Sequence, residues 1–250
     1  MSERLKIWGL ALLKKIHPAK TAGLLLDFIY PENLYCSCCG DAIDRKTRIH
    51  SLCDKCIKKI TWVSDNPYES SMDDMAFDEL YTCCIYGYYP RQMIQKLKFG
   101  EGRYLAKPLG KLMAERVLLS FGGDREKLKK SYDLVSFVPM AKEKQSGRGY
   151  NQAKLLAKSM AKELDLPMED LLEKPKETPS MRLADKYERR TMLKGAFKVK
   201  KTAELKGKKV LLADDVLTTG STANEAAMEL KKAGCSFVGI AVFASGNGPR

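Results

Sequence analysis

Hydrophobic positions along the chain follow two periods. Short, near-continuous apolar runs occupy 81–89 (YTCCIYGYY), 133–139 (DLVSFVP), 208–215 and 237–243. Runs of this kind, rich in Val, Ile, Tyr and Phe, read as strands, the near-continuous ones as strands buried on both faces. Between them the spacing turns helical. Leu105, Leu109, Leu112 and Met113 share a face of 104–121, and Ala153, Leu156, Ala157, Met160 and Leu164 share a face of 150–164. Segments 91–99 and 222–233 also read as helices, the second closed by Gly234 as its C-terminal cap. The stretch 122–130 reads as a glycine-containing charged loop, and 173–196 as charged and irregular. Strands alternating with helices predict an α/β fold, a parallel sheet flanked by helices.

The N-terminal part departs from this pattern. Residues 1–30 are fairly apolar and helical in spacing, 31–60 are cysteine-rich without helical period, and 61–80 are polar and acidic, like a connector. The expected organisation is an N-terminal helical segment over 1–30, a small module over 31–62 and the α/β domain over 81–250. A length of 250 residues accommodates one ordinary domain with a small appendage.

The net charge of +13 points to polyanionic partners: phosphorylated ligands, nucleic acid or an anionic membrane surface. Lysine-rich solvated faces would give the same number, so charge alone leaves both readings open. No segment reaches the roughly 20 apolar residues of a membrane span. The apolar run 7–13 ends in Lys14-Lys15, and no small-x-small cleavage site follows closely. The expectation is a cytoplasmic protein, associated with membrane through partners or through a basic amphipathic helix.

The chemistry concentrates in 210–223, VLLADDVLTTGSTA. An apolar strand leads to Asp214 and Asp215, at the sheet edge where open α/β folds bind ligands. Thr218, Thr219, Gly220, Ser221 and Thr222 then open a helix. A glycine turn exposes backbone N–H groups, the helix N-terminus adds its positive end, and the hydroxyls add donors, so the segment can cradle a phosphate. The carboxylates would repel phosphate in direct contact and suit sugar hydroxyls or a magnesium ion nearby. A turn and a helix cap with no ligand would explain a bare TGST, but not the acid pair at the strand end. The Gly-Lys-Ser/Thr ending of a Walker loop is missing.

This segment resembles the signature of type I phosphoribosyltransferases. The resemblance implies that Asp214 and Asp215 lie by the ribose hydroxyls and that residues 218–222 hold the 5′-phosphate. The ligand it implies is phosphoribosyl pyrophosphate, with Mg2+, or a nucleotide. The strand at 133–139 is followed by MAKEKQSGRGYNQA, where Lys142, Lys144 and Arg148 supply positive charge and Gly147 and Gly149 allow close backbone approach. Beside a phosphate site this loop suits pyrophosphate; alone it would read as a solvated basic loop.

Four cysteines, Cys36, Cys39, Cys53 and Cys56, form C-x2-C-x13-C-x2-C. Each C-x2-C puts two thiolates on one tight turn, and two turns complete a tetrahedral zinc site with no open position, hence a structural one. An iron–sulfur cluster or disulfides are the alternatives, and Cys38 and His50 are substitute ligands. Cys83, Cys84 and Cys235 read as core thiols.

The chain from the cysteine cluster onward also resembles the ComF proteins, which join a zinc motif to a phosphoribosyltransferase-like domain. Leu97-Lys98-Phe99, the RGYNQ pentad and PSMRLADKYERRTMLKGAF carry the resemblance in order. Met181 stands where a Gln is usual and Met192 where an Asn is usual; Arg189 and Arg190 remain. The resemblance implies a role in natural transformation, with single-stranded DNA and a helicase-like competence ATPase as partners. An active phosphoribosyltransferase acting on a base or amine is the alternative, and a sensor of the phosphoribosyl ligand is a third reading. Trp62, Tyr86, Tyr88, Tyr89 and Tyr104 are aromatics that either stack bases or pack the core.

Overall fold

A computed structural model describes residues 34–43, 51–63, 75–99, 102–175, 193–200 and 204–246. The segment 1–30, His50, Met181, Arg189, Arg190 and Met192 lie outside the described residues, as do the side chains of Lys142 and Lys144.

Among the described residues the elements run in this order. α1 is Asp54–Ile57, β1 Glu79–Ile85 and α2 Tyr88–Lys98. A 3₁₀ turn at Gly102–Leu105 leads into α3, Ala106–Ser120, and α4, Arg125–Ser131. Next come β2 (Leu134–Phe137), α5 (Lys142–Arg148) and α6 (Gln152–Leu164). β3 (Leu172–Glu173) and β4 (Lys198–Val199) form a small antiparallel ladder. β5 (Lys209–Leu217), α7 (Ser221–Lys232) and β6 (Phe237–Ser245) finish the fold.

Four strands form one sheet in the order β1-β6-β5-β2. Every pairing is parallel, with Glu79 opposite Gly239, Val210 opposite Val238 and Leu134 opposite Val210. The near-continuous apolar strands are buried on both faces, as a parallel sheet requires. On one face Met93, Ile94 and Leu97 of α2, Leu109 and Met113 of α3, and Leu156 and Met160 of α6 pack with Val135, Leu211 and Ala213. On the other, Ala226, Ala227 and Leu230 of α7 pack with Val210, Leu212 and Ile240. α3 and α6 approach closely at Gly110, where a Cβ would lie 2.5 Å from that of Ser159.

The cysteine module shares the first of these cores. Cys36, Cys38, Leu52, Cys56 and Ile60 are buried in the same cluster as α2. The connector is not wholly irregular: Val63 N–H donates to Cys83 O (3.0 Å) and Ile85 N–H to Thr61 O (2.9 Å), so residues 61–63 pair with the outer edge of β1. Covering that edge removes a template for pairing with another chain.

Two segments expected as loops are short helices. In α4, Asp124 caps the N-terminus by accepting from the amides of Glu126 (3.0 Å) and Lys127 (3.1 Å), and Leu128 is the buried anchor. α5 replaces the loop expected after β2 and ends at Gly149, whose φ of 74° is the left-handed C-terminal cap.

Candidate phosphate site and cysteine cluster

β5 extends two residues beyond the expected strand, so Asp214 and Asp215 sit inside it. Neighbouring strand residues face opposite sides of the sheet, and the two acids are separated accordingly. Asp214 lines a cleft of about 30 Å3 together with Thr218, Thr219, Gly220, Ser221 and Thr222. Asp215 meets α2, where Lys98 Nζ lies 2.8 Å from its Oδ2.

The loop has the chemistry to accept an anion. Gly220 is the N-cap of α7 with φ 77°, a conformation that favours glycine, and it makes no side-chain capping bond. Having no side chain, Gly220 leaves the start of this 12-residue helix without a capping oxygen of its own, and Ser221 N–H makes a long contact with Thr219 Oγ1 (3.5 Å). Thr219 Oγ1 and Ser221 Oγ hydrogen-bond to each other at 2.9 Å, which holds both hydroxyls at the helix start. Further along α7, Asn224 Oδ1 accepts from Ala76 N–H (2.6 Å) and Glu225 Oε1 from Gly195 N–H (2.5 Å), anchoring two loops to this helix.

The electrostatics follow from burial. Burial pushes the Asp214 carboxyl up to about 8, with the neighbouring Asp215 charge adding to it, while the Asp215 N–H bond to Asp214 Oδ1 (2.8 Å) and Lys98 pull the other way. Burial opposes the Lys98 ammonium, but the charges of Asp215 and Asp214 prevail and raise it, so Lys98 stays charged. Asp214 can then donate a hydrogen bond near neutral pH, and Asp215 has a resident counter-charge.

The acid pair does not offer a magnesium site. One carboxylate is taken by an ammonium and the other is disposed to keep its proton, which leaves no pair of free anionic oxygens for a hard dication.

The residues expected to face pyrophosphate lie elsewhere than the β5–α7 cleft. Arg148 places its guanidinium over the Phe99 ring at 5.2 Å, at the end of α2. Gly149 ends α5, and its carbonyl accepts from Arg103 Nη2 at 2.9 Å. A larger hollow of about 320 Å3 opens at the carboxyl end of β2, where Asp170 pairs with Lys154 (3.2 Å) and Lys200 (2.8 Å). Lys98 is the site residue to which the sequence reading gave no role. Its signal was present, as the polar position directly after buried Leu97.

The Sγ atoms of Cys36, Cys39, Cys53 and Cys56 all lie within 4.8 Å of one another, and those of Cys39 and Cys53 are 3.8 Å apart. Four sulfurs at about 2.3 Å from one zinc ion would be roughly 3.8 Å apart, so the cluster fits such an ion. Gly40 at φ 86° shapes the first turn, with its N–H donating to Cys36 O (2.8 Å). The second turn is closed by Cys56 N–H donating to Cys53 O (3.0 Å), leading into α1. At Cys36 burial disfavours the thiolate, but the amides of Cys39, Cys53 and Cys38 outweigh it and bring the thiol down to about 7. Cys38 stands outside this set; its carbonyl accepts from Lys96 Nζ of α2 at 2.9 Å. Cys83 and Cys235 are core thiols, pushed up by burial to about 12 and about 11.

A parallel α/β sheet with an acid-bearing strand, a hydroxyl-rich loop and a helix N-terminus defines a phosphoribosyltransferase-type fold joined to a four-cysteine module. Residues 151–250 match the family described as phosphoribosyl transferase domain. The chain is 31% identical over 205 residues to competence protein F of Haemophilus influenzae, covering 80% of each chain. It is 25% identical over 195 residues to the DNA utilization protein YhgH of Escherichia coli, covering 78% of each. A solved allosteric regulatory enzyme of purine biosynthesis is 18% identical, covering 56% of this chain and 26% of its own at a TM-score of 0.37. The chain belongs to the competence protein F (ComF) family. No helix of the described residues is long and apolar enough to cross a membrane.

Proposed function

We propose that this protein binds a phosphoribosyl compound, phosphoribosyl pyrophosphate or a nucleotide, and acts in the uptake and handling of DNA during natural transformation. The observation that carries the ligand is the cleft in which Asp214 meets the hydroxyl loop and the N-terminus of α7. The 5′-phosphate takes the N–H groups of α7 and the Thr219 and Ser221 hydroxyls, and Asp214 takes a ribose hydroxyl. The relatives named for competence and for DNA utilization support the DNA role, and a net charge of +13 suits single-stranded DNA. A helicase-like ATPase is the protein partner in this reading. The four cysteines hold zinc structurally, and any Mg2+ arrives on the ligand's pyrophosphate.

Calorimetry with ribose 5-phosphate and with phosphoribosyl pyrophosphate tests the site. Both should bind, and Asp214→Asn combined with Ser221→Ala should weaken binding roughly tenfold or more while leaving the zinc content unchanged. An absence of heat with either compound would remove the reading. The match to a phosphoribosyl transferase domain favours a second reading, transfer onto a base or amine. Pyrophosphate release with any member of an acceptor panel would establish it.

A further inference from the structure

Asp214 lines the cleft, and Asp215, the next residue of β5, meets α2 beside it. The Asp215 carboxylate and an incoming phosphate would bring two anionic groups close together, a repulsion that a divalent cation could relieve. Here a lysine occupies that place. Lys98 Nζ is 2.8 Å from Asp215 Oδ2, and the two side chains are only 28% and 12% exposed.

The lysine is held where it is needed. Leu97, the residue before it, is fully buried, and its carbonyl accepts from the Tyr150 hydroxyl at 2.5 Å. Lys98 ends α2, where the unsatisfied helix carbonyls favour a cation. Lys96, two residues earlier, is tied to Cys38 O at 2.9 Å. The ammonium is therefore set by packing and backbone contacts on both sides of it, and a preorganised counter-charge costs no reordering when ligand arrives. Asp214 joins the same unit, since its Oδ1 accepts the Asp215 N–H.

We propose that Lys98 is a positioning residue that replaces a protein-bound divalent cation at Asp215, so that the sugar-phosphate half of the ligand binds without metal. The inference rests on the phosphoribosyl reading of the cleft. Its consequence is a division of labour: any magnesium requirement comes from the ligand's pyrophosphate and is missing for ribose 5-phosphate, which carries none.

The test is calorimetry of the zinc-loaded full chain with ribose 5-phosphate, in magnesium and in magnesium-free buffer. Wild type should give the same Kd in both, within about twofold. Lys98→Met should lose roughly tenfold or more in magnesium-free buffer, because an unpaired buried carboxylate then opposes the ligand. Added magnesium should restore part of that loss, which a purely structural role for Lys98 would not produce. Lys98→Arg, which keeps the charge, should stay metal-independent. Wild-type binding that requires magnesium would overturn the proposal while leaving the phosphoribosyl reading intact. Lys98→Met binding like wild type without magnesium would also overturn it. Should that variant fail to fold, the wild-type comparison decides alone. A wild type that binds neither ribose 5-phosphate nor phosphoribosyl pyrophosphate would remove both the reading and the proposal.

Discussion

At Asp214, burial and the Asp215 charge hold a proton on the carboxyl up to about 8, far above the usual carboxyl value of 3.8. The unfolded chain releases that proton near the ordinary value. The stabilisation from the retained proton is therefore complete below about 3.8 and is lost as pH rises through about 8. Asparagine at this position has no proton to lose. Urea unfolding of wild type and Asp214→Asn should show wild type losing stability relative to the variant across that window and level on either side of it. Parallel curves would contradict an Asp214 that keeps its proton in the fold. The pair of acids was legible in the sequence, because two carboxyls after an apolar strand are conspicuous. Their division was not expected: a strand long enough to include both sends one to the phosphate loop and the other to Lys98. The lysine lies more than a hundred positions upstream, and although its place directly after buried Leu97 marks it, its contact with Asp215 is set by how α2 crosses the sheet.

Among the elements, α2 connects the two chemistries. Its buried residues Met93, Ile94 and Leu97 share a core with Cys36, Cys38 and Cys56, Lys96 reaches the first cysteine turn, and Lys98 reaches Asp215 of β5. Long helices with an apolar stripe were legible, since α3, α6 and α7 bury the faces their spacing marks. α4 and α5 were not, because each is a seven-residue, lysine-rich turn or two. α4 buries a single leucine and draws its start from the Asp124 cap, which hydrophobic period cannot reveal. The shared core makes metal loss more than a local event. With zinc held by the four cysteines as proposed, stripping it with a chelator should speed amide hydrogen exchange in α2 as well as across the cysteine turns at 36–40 and 53–57. A change confined to the cysteine turns would mean that the module is energetically separate from the sheet.

At the scale of the whole molecule, the described residues form two packed layers around one parallel sheet, with the cysteine module built into one of those layers. The proposed phosphorylated ligand would occupy a cleft of about 30 Å3, which does not need a net charge of +13. Several lysines in the described part are already neutralised within the fold, among them Lys98, Lys129, Lys154, Lys200 and Lys231. These pairs leave the net charge of +13 in place, and a polyanionic partner would relieve its self-repulsion. In the proposed DNA role a single strand would supply that polyanion, and binding would release condensed counterions at a slope of about −0.7 in log K against log salt for each phosphate contacted. Fluorescence anisotropy with a labelled single strand should therefore give a slope of about −2 or steeper, corresponding to three or more phosphates. Ribose 5-phosphate, which meets one cleft, should leave that slope unchanged when added at saturation. A flat salt response would separate the charge from DNA, and a slope that collapses on adding ribose 5-phosphate would place the DNA phosphates in the β5–α7 cleft itself.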